Sequence, residues 1–181
     1  MYRYAALLRG IGPSDPNMRN DKLCGVFEGL GFDRVASVIS SGNIVFASAG
    51  TDVPALESRI QEALRRELGI AGGTIIRSQL ELQALVDRDP FPSMTHGRAT
   101  YLTATFLKHA AEPAGDALPQ PGDPAMRVVA YDATARAVLA VTDTTISKTP
   151  DFMGWLESRY GKDITTRTWL TVQRVLKKLT S

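Results

Sequence analysis

The sequence contains a single cysteine and no long hydrophobic run. Cys24 alone cannot form an intramolecular disulfide or a cysteine-rich metal site, and such sparse use of cysteine is typical of a reducing compartment. No stretch approaches the roughly eighteen apolar residues of a membrane-spanning helix, and the first residues lack the pattern of a signal peptide. We therefore expect a cytoplasmic protein without a membrane segment.

Histidine is nearly as scarce, and the motifs of common enzymes are missing. His96 and His109 are thirteen residues apart and lack the spaced ligands that a metal site needs. There is no G-x-S-x-G elbow and no Walker lysine, and the Gly10-Ile11-Gly12 segment lacks the third glycine of a dinucleotide fingerprint. The sequence predicts no metal and no cofactor, and it argues against an enzyme without excluding one.

Neither sign of charge dominates, since 21 Lys and Arg face 19 Asp and Glu, a net charge of +2. Residues 1–90 carry 10 basic and 11 acidic side chains, a net of −1, whereas residues 91–181 carry 11 and 8, a net of +3. The excess lies in the last helix, where cations favour the final turn. It is far smaller than the basic face expected of a dedicated duplex-binding protein.

In residues 1–90 the apolar positions follow the periods of strands and helices. Asp52 provides an N-cap and Gly69 a stop for the longest helix. Residues 40–43 (SSGN) suit a hairpin turn because they tolerate positive φ. The predicted order is strand, helix, strand, strand, helix, strand and short helix, over residues 2–8, 23–30, 35–39, 44–47, 53–68, 74–77 and 79–86.

The second half repeats this order. Residues 110–125 are rich in Ala, Gly and Pro and hold at most one short helical turn. A helix starts at residues 149–151 and stops at Gly161, and Thr168 caps the last helix. The predicted strands are 99–107, 127–131, 137–141 and 164–166, and the predicted helices are 152–160 and 169–179.

Each half therefore reads as a β-α-β-β-α-β unit, the ferredoxin-like order. The segment 87–92 (DRDPFP) breaks the pattern and marks the boundary between the halves. We predict an α+β fold of two ferredoxin-like halves, residues 1–90 and 91–181, the second with an extra C-terminal helix. Because each half is small for an independent core, we expect the halves to pack together as one compact unit.

Polar side chains follow several predicted strands, at the point where each strand ends. Arginine forks and free N–H groups at a helix start suit a carboxylate or a phosphate. The alternative is that the arginines pair with acidic neighbours and that the threonine only caps a helix. If these positions converge in space, they form an anion site consisting of Arg9, Ser41, Asn43, Arg77, Arg167 and Thr168.

Three segments resemble the domain-of-unknown-function 1697 family of bacteria. They are residues 7–11 (LLRGI), 41–46 (SGNIVF) and 166–169 (TRTW), and the resemblance extends over essentially the whole chain. It implies an α+β fold with an internal ferredoxin-like duplication, but no established activity, cofactor or catalytic residue. Two departures stand out: residues 13–17 (PSDPN) replace a glycine-rich basic loop, and Thr168 stands where the family often has Asn.

The sequence is compatible with three functions. The first is a cytosolic protein that binds an anionic small ligand, a nucleotide or a phosphometabolite, through the strand-end set. The second is association with nucleic acid through the basic last helix and a sheet face bearing Tyr2, Tyr4, Tyr101 and Tyr131. The third is an enzyme of unrecognised type. We expect a monomer, or a homodimer in which edge strands join into one sheet.

Overall fold

The computed structural model describes residues 1–39, 42–111, 117–146 and 151–181. These residues form an α+β structure with two four-stranded antiparallel sheets and five α-helices. The strands are Tyr2–Leu8 (β1), Asp33–Ser37 (β2), Asn43–Ser48 (β3), Thr74–Ser78 (β4), Thr100–Leu107 (β5), Met126–Asp132 (β6), Ala137–Asp143 (β7) and Ile164–Thr168 (β8). The helices are Asn20–Gly29 (α1), Val53–Leu68 (α2), Gln79–Asp87 (α3), Phe152–Tyr160 (α4) and Trp169–Leu179 (α5).

The chain divides into two compact units. Unit 1 comprises Met1–Leu82 and Arg174–Ser181, and unit 2 comprises Gln83–Gln173. Sheet 1, in unit 1, has the order β2-β3-β1-β4, and sheet 2, in unit 2, has the order β6-β7-β5-β8. The two halves are therefore similar, which fits a duplicated fold. Within the described ranges, no helix is both long enough and apolar enough to cross a membrane.

The core of unit 1 contains a cluster of four aromatic rings. Alternate residues of β1 and β3 point toward the helices, and Tyr4 and Phe46 pack there against Phe27 of α1 and against Phe32. Neighbouring ring centres lie 4.7 to 6.2 Å apart. These separations are typical of favourable aromatic pairs, so the cluster fixes α1 against the sheet.

Capping residues define the ends of α2 as the sequence predicts. The Asp52 carboxylate accepts a hydrogen bond from the Ala55 N–H at 3.1 Å, and Gly69 ends the helix in the left-handed conformation with φ 70°. In unit 2 the Asp151 carboxylate caps α4 through the Gly154 N–H at 2.9 Å. The predicted helix start at residues 149 and 150 lies outside the described residues.

Between β5 and β6 the sequence predicts at most one short helical turn, and residues 112–116 of that connection lie outside the described residues. Residues 108–111 and 117–125, the described parts of this connection, contain no helix. Three prolines, at positions 119, 121 and 124, remove backbone donors and break the helical period. The remaining strands of the second half, and both of its later helices, follow the predicted order.

Candidate functional site

Arg9 and Asn43 come together at one end of sheet 1. The Arg9 N–H donates to the Gly73 carbonyl at 2.9 Å, just beyond β1, and Asn43 pairs with Leu7 at the start of β3. Asn43 is buried, and its side-chain amide donates to the Val38 carbonyl at 3.1 Å. The amide of Asn43 thus closes the hairpin. Predicted site residue Ser41 lies outside the described residues.

Glycines allow the backbone segments at this end of sheet 1 to touch. A Cβ atom on Gly72 would lie 1.8 Å from the Arg9 carbonyl oxygen. Gly42 has φ 88°, and a Cβ atom there would lie 2.8 Å from Ile11. The glycines beside Arg9 and Asn43 therefore have a packing role in addition to any contact with a ligand.

Arg77 lies toward the opposite end of the sheet. It pairs with Ala5 of β1, four residues before Arg9, a separation of roughly 13 Å at the rise of an extended strand. Arg77 is fully buried, and its guanidinium donates to the Ile76 carbonyl at 2.7 Å. Within unit 1 the structure therefore groups Arg9 with Asn43 and places Arg77 apart from them.

Arg167 and Thr168, in unit 2, lie at the end of β8. The Arg167 guanidinium donates to the Thr165 hydroxyl at 2.6 Å and to the Thr166 carbonyl at 3.0 Å, and burial lowers the pKa of Arg167 to about 10. Its contact with the preceding carbonyl repeats the contact of Arg77 in β4. The Thr168 hydroxyl caps α5 by accepting from the Thr171 N–H at 3.3 Å.

A basic residue of unit 2 occupies the position that Arg9 has in unit 1. Lys108 follows β5 as Arg9 follows β1, and the two residues make matching backbone hydrogen bonds. The end of β5 at Lys108 is therefore a second strand-end region, in unit 2. The matching pairs, donor first and all at 2.9 Å, are Leu8 with Gly42 and Arg9 with Gly73 in unit 1, and Leu107 with Arg136 and Lys108 with Asp163 in unit 2.

A cleft of about 230 Å³ opens beside this second region. One wall is the segment that follows β5, and the other is the last turn of α4. Both walls belong to unit 2, so one compact unit forms the cleft. The lining residues are Leu107, His109, Ala110, Ala111, Arg159 and Tyr160.

The polar groups of the cleft are two basic side chains and a phenol. The Arg159 guanidinium lies 5.9 Å from the centre of the Tyr160 ring, a cation–π contact. Among the described residues, no carboxylate lies within salt-bridge distance of Arg159. The His109 imidazole lies 3.5 Å from the Asp163 carboxylate, and both side chains are exposed. The cleft therefore presents a cationic, partly aromatic surface.

Burial raises the pKa of the Tyr160 phenol, and the neighbouring Arg159 charge opposes this only in part. The ring also meets Trp155 edge-on, with the ring centres 6.2 Å apart. Tyr160 is therefore a neutral hydrogen-bond donor at physiological pH, held in place by its aromatic neighbour.

Sequence reasoning missed this cleft. From the sequence, His109 is rejected as a metal ligand, and no motif singles out Arg159 as a site residue. The available signal was the repeat itself, since aligning the halves places Lys108 and His109 where Arg9 and Gly10 stand. In the described part of the chain, no group of three His, Cys, Asp or Glu side chains could hold a metal ion.

The tyrosines expected on an open sheet face differ in exposure. Tyr2 and Tyr101 are exposed, but Tyr4 is only 3% exposed and its hydroxyl donates to the Gly50 carbonyl at 2.8 Å. The expectation that Tyr4 stacks on a base is wrong, because β1 turns this side chain into the aromatic cluster of unit 1.

Comparison with known proteins gives a family and a fold. A solved structure, the conserved bacterial protein SP0830 from Streptococcus pneumoniae, matches with a TM-score of 0.74 at 18% sequence identity, covering 100% of this chain and 99% of that chain. At that identity the likeness shows the fold alone. No curated protein matches the sequence. The model of a family described as "Protein of unknown function (DUF1697)" matches residues 1–134. Because this match covers well over half of the sequence, the chain belongs to the DUF1697 family.

Proposed function

We propose that the protein binds a small anionic metabolite in the cleft of unit 2. The observation that carries the proposal is the Arg159 guanidinium, which faces a concave site without a carboxylate partner among the described residues. A guanidinium recognises phosphate or carboxylate oxygens through two parallel N–H donors. The His109 imidazole and the neutral Tyr160 phenol also line the cleft and add hydrogen-bond donors.

The size of the cleft restricts the ligand. About 230 Å³ is below the range of roughly 300–1,000 Å³ that is usual for drug-sized ligands. A phosphorylated sugar or a short organic acid fits this volume better than a dinucleotide does. The ring of Tyr160 offers an apolar surface for the carbon skeleton of such a compound.

The test is a thermal-shift screen followed by calorimetry. A ligand that binds only the folded protein raises the melting temperature, so sugar phosphates, mononucleotides, organic acids and inorganic phosphate are screened individually. For a compound that binds, Arg159→Ala should weaken binding by about tenfold to a hundredfold, since a hydrogen bond to a charged group contributes about 1.5–3 kcal/mol.

Arg65→Ala is the matched control, because Arg65 is an exposed arginine in the last turn of α2, as Arg159 is in the last turn of α4. The control should bind the ligand as the wild-type protein does. An equal loss in both variants, or a screen in which no anion raises the melting temperature, would rule out the cleft as the site.

A common anion site at the strand ends remains a prediction. Its residues are Arg9, Ser41, Asn43, Arg77, Arg167 and Thr168, of which Ser41 lies outside the described residues. Among these residues, Arg9 and Asn43 lie at the same end of sheet 1, which supports a site formed by this pair. Arg9→Ala in the same calorimetric assay separates this pair from the cleft, since a ligand of the cleft is insensitive to that substitution.

The strand orders also support a proposal about the fold and its setting. Orders β2-β3-β1-β4 and β6-β7-β5-β8 are those expected of two ferredoxin-like units that arose by duplication, residues 1–90 and 91–181. A cytoplasmic location fits the lone Cys24, which has no partner cysteine in the sequence.

Association with nucleic acid is the second candidate, and a cluster of cations at the end of α5 favours it. Lys177 and Lys178 are exposed in the last turn, and the guanidinium of Arg3 donates to the carbonyl of Lys178. Burial lowers the pKa of Arg3, and the charge of the nearby Arg34 lowers it further. Fluorescence anisotropy with labelled single-stranded RNA and DNA tests this candidate, which requires binding that weakens as salt rises.

A further inference from the structure

Side chains occupy the outer backbone donors of β4, the edge strand of sheet 1. Successive outward N–H groups of an antiparallel edge strand fall on alternate residues. Two of the acceptors come from α2 and one from α3, so β4 cannot receive a further strand in the usual way. The pairs are Thr74 N with Gln61 Oε1 at 3.1 Å, Ile76 N with Glu57 Oε2 at 2.8 Å, and Ser78 N with Glu81 Oε2 at 3.2 Å.

Two other edges carry their own obstructions. On β6 the Gln120 amide accepts from the Val128 N–H at 2.9 Å and donates to the Val128 carbonyl at 2.8 Å, as a neighbouring strand would. On β2 the pairing shifts after Asp33, and Arg34 has φ 51°, so this edge is irregular. Such devices are the means by which proteins keep sheet edges from pairing with other chains.

β8 is the counterpart of β4 and lacks these acceptors. The matching hydrogen bonds to Gly73 and Asp163 align Ile76 with Thr166 and Ser78 with Thr168, so the N–H groups of Thr166 and Thr168 point outward. Among the described residues, no side chain accepts from either N–H group. Both threonines are half-exposed, whereas Ile76 is fully buried.

Two local features accompany this difference. The α4 side chain that reaches Thr166 is Met153, whose sulfur accepts from the Thr166 hydroxyl at 3.3 Å and leaves the backbone alone. Thr171 stands where Glu81 stands in unit 1, three residues after the capping residue. The Thr171 hydroxyl bonds the Thr168 hydroxyl at 3.0 Å instead of reaching back to its N–H as a capping-box glutamate does.

We infer that β8 pairs antiparallel with β8 of a second copy of the chain, about a two-fold axis at Thr166. With that centre, Thr166 faces Thr166 of the second copy, and Thr168 faces Ile164 of the second copy. The backbone groups of these residues point away from β5, so those of one copy can bond those of the other. Facing threonines are a favourable cross-strand pair. The contact is isologous, and it joins two copies of sheet 2 into one eight-stranded sheet.

The charge and surface around β8 favour a second copy as the occupant. Arg167 is the one charged residue of the strand, and its guanidinium donates to the Thr166 carbonyl of its own strand at 3.0 Å. A carbonyl oxygen has two acceptor sites, so the Thr166 carbonyl can still accept from the second copy. In the proposed register Arg167 faces Thr165 of the second copy, not Arg167. Two copies therefore meet there without like charges opposite each other. Met153 and Leu170 are 42% and 45% exposed beside the strand, and the second copy would cover these apolar side chains.

Thr171→Glu tests the inference while favouring the folded monomer. The new glutamate completes the capping box at Thr168 and occupies its outward N–H, as Glu81 does at Ser78. Sedimentation over a range of protein concentrations should show dimers of the wild-type chain and, for this variant, a dissociation constant raised by about tenfold or more. Its melting temperature, measured at a concentration where the wild-type chain is monomeric, should not fall. Thr51→Glu, on an exposed loop residue of unit 1, carries the same charge and should dimerise as wild type does.

A cysteine cross-link locates the contact. In a Cys24→Ala background, Thr166→Cys places two Cα atoms about 5.5 Å apart in the proposed pair, within the range of a disulfide. Oxidation should give a covalent dimer, whereas Thr51→Cys in the same background should not. A wild-type chain that stays monomeric at every concentration overturns the inference. So does a dimer that Thr171→Glu leaves intact and that Thr166→Cys does not cross-link.

Discussion

Removal of the Glu57 carboxylate measures how much the side chains along β4 stabilise sheet 1. Glu57 is only 3% exposed, and its Oε2 accepts from the buried Ile76 N–H at 2.8 Å. Glu57→Ala takes this acceptor away and leaves a space in the interior. Loss of a hydrogen-bond partner from a buried group costs about 1–3 kcal/mol. With the lost packing, we expect the free energy of unfolding to fall by about 2–3 kcal/mol.

Urea unfolding followed by circular dichroism provides the assay, with thermal unfolding as a second measure. For a chain of this size each kcal/mol lowers the melting temperature by about 2–4 °C, so Glu57→Ala should lower it by about 4–12 °C. Glu57→Gln keeps an oxygen acceptor at the same reach and should lose less than half as much. The reasoning fails if Glu57→Ala unfolds with the wild-type midpoint, or if Glu57→Gln is as unstable as Glu57→Ala.

Two further predictions concern a glycine and a carboxylate. Gly72→Ala should destabilise unit 1 by about 1–3 kcal/mol or more, because its Cβ would meet the Arg9 carbonyl oxygen, whereas Gly25→Ala in α1 meets no atom within 4 Å and should stabilise by about 0.5–1 kcal/mol. Urea midpoints that shift in the same direction for both would contradict this. The hydroxyl and N–H of Thr145 hold the pKa of Asp143 below its ordinary value of 3.8, so its contribution to stability is present above that pH and is lost as the pH falls through the lowered pKa. Thr145→Val should raise this pKa in an NMR titration, and an unchanged value would show that the hydroxyl has no effect.

The ends of the helices were predictable from the sequence because capping acts within about one helical turn. Asp52 and Gly69 bracket α2 as their chemistry requires, and the segment between them alternates in burial with the helical period. Gly161 likewise ends α4, with φ 85°. The connection between β5 and β6 is rich in proline and has no helical period, which is why the sequence predicts at most one short helical turn there.

The candidate site depends on contacts that no local pattern records. His109 and Arg159 are fifty positions apart in the sequence, and the cleft exists because the segment after β5 runs beside the last turn of α4. Arg77 at a strand end was expected to be open to a ligand, but the face on which it lies is covered in the folded protein. Whether a sheet face is covered is a property of the tertiary structure, and the alternation of one strand does not determine it.

The carbonyl groups at the end of α5 have a consequence for the order of folding. Arg3 donates to the carbonyls of Lys178 and Leu179, and Arg34 donates to that of Ser181. All of these residues belong to unit 1, yet the whole of unit 2 separates them along the chain. During synthesis β1 and β2 leave the ribosome long before the helix end that they bind exists, and closing so long a loop is slow. The unit whose synthesis begins first is therefore the last to be completed.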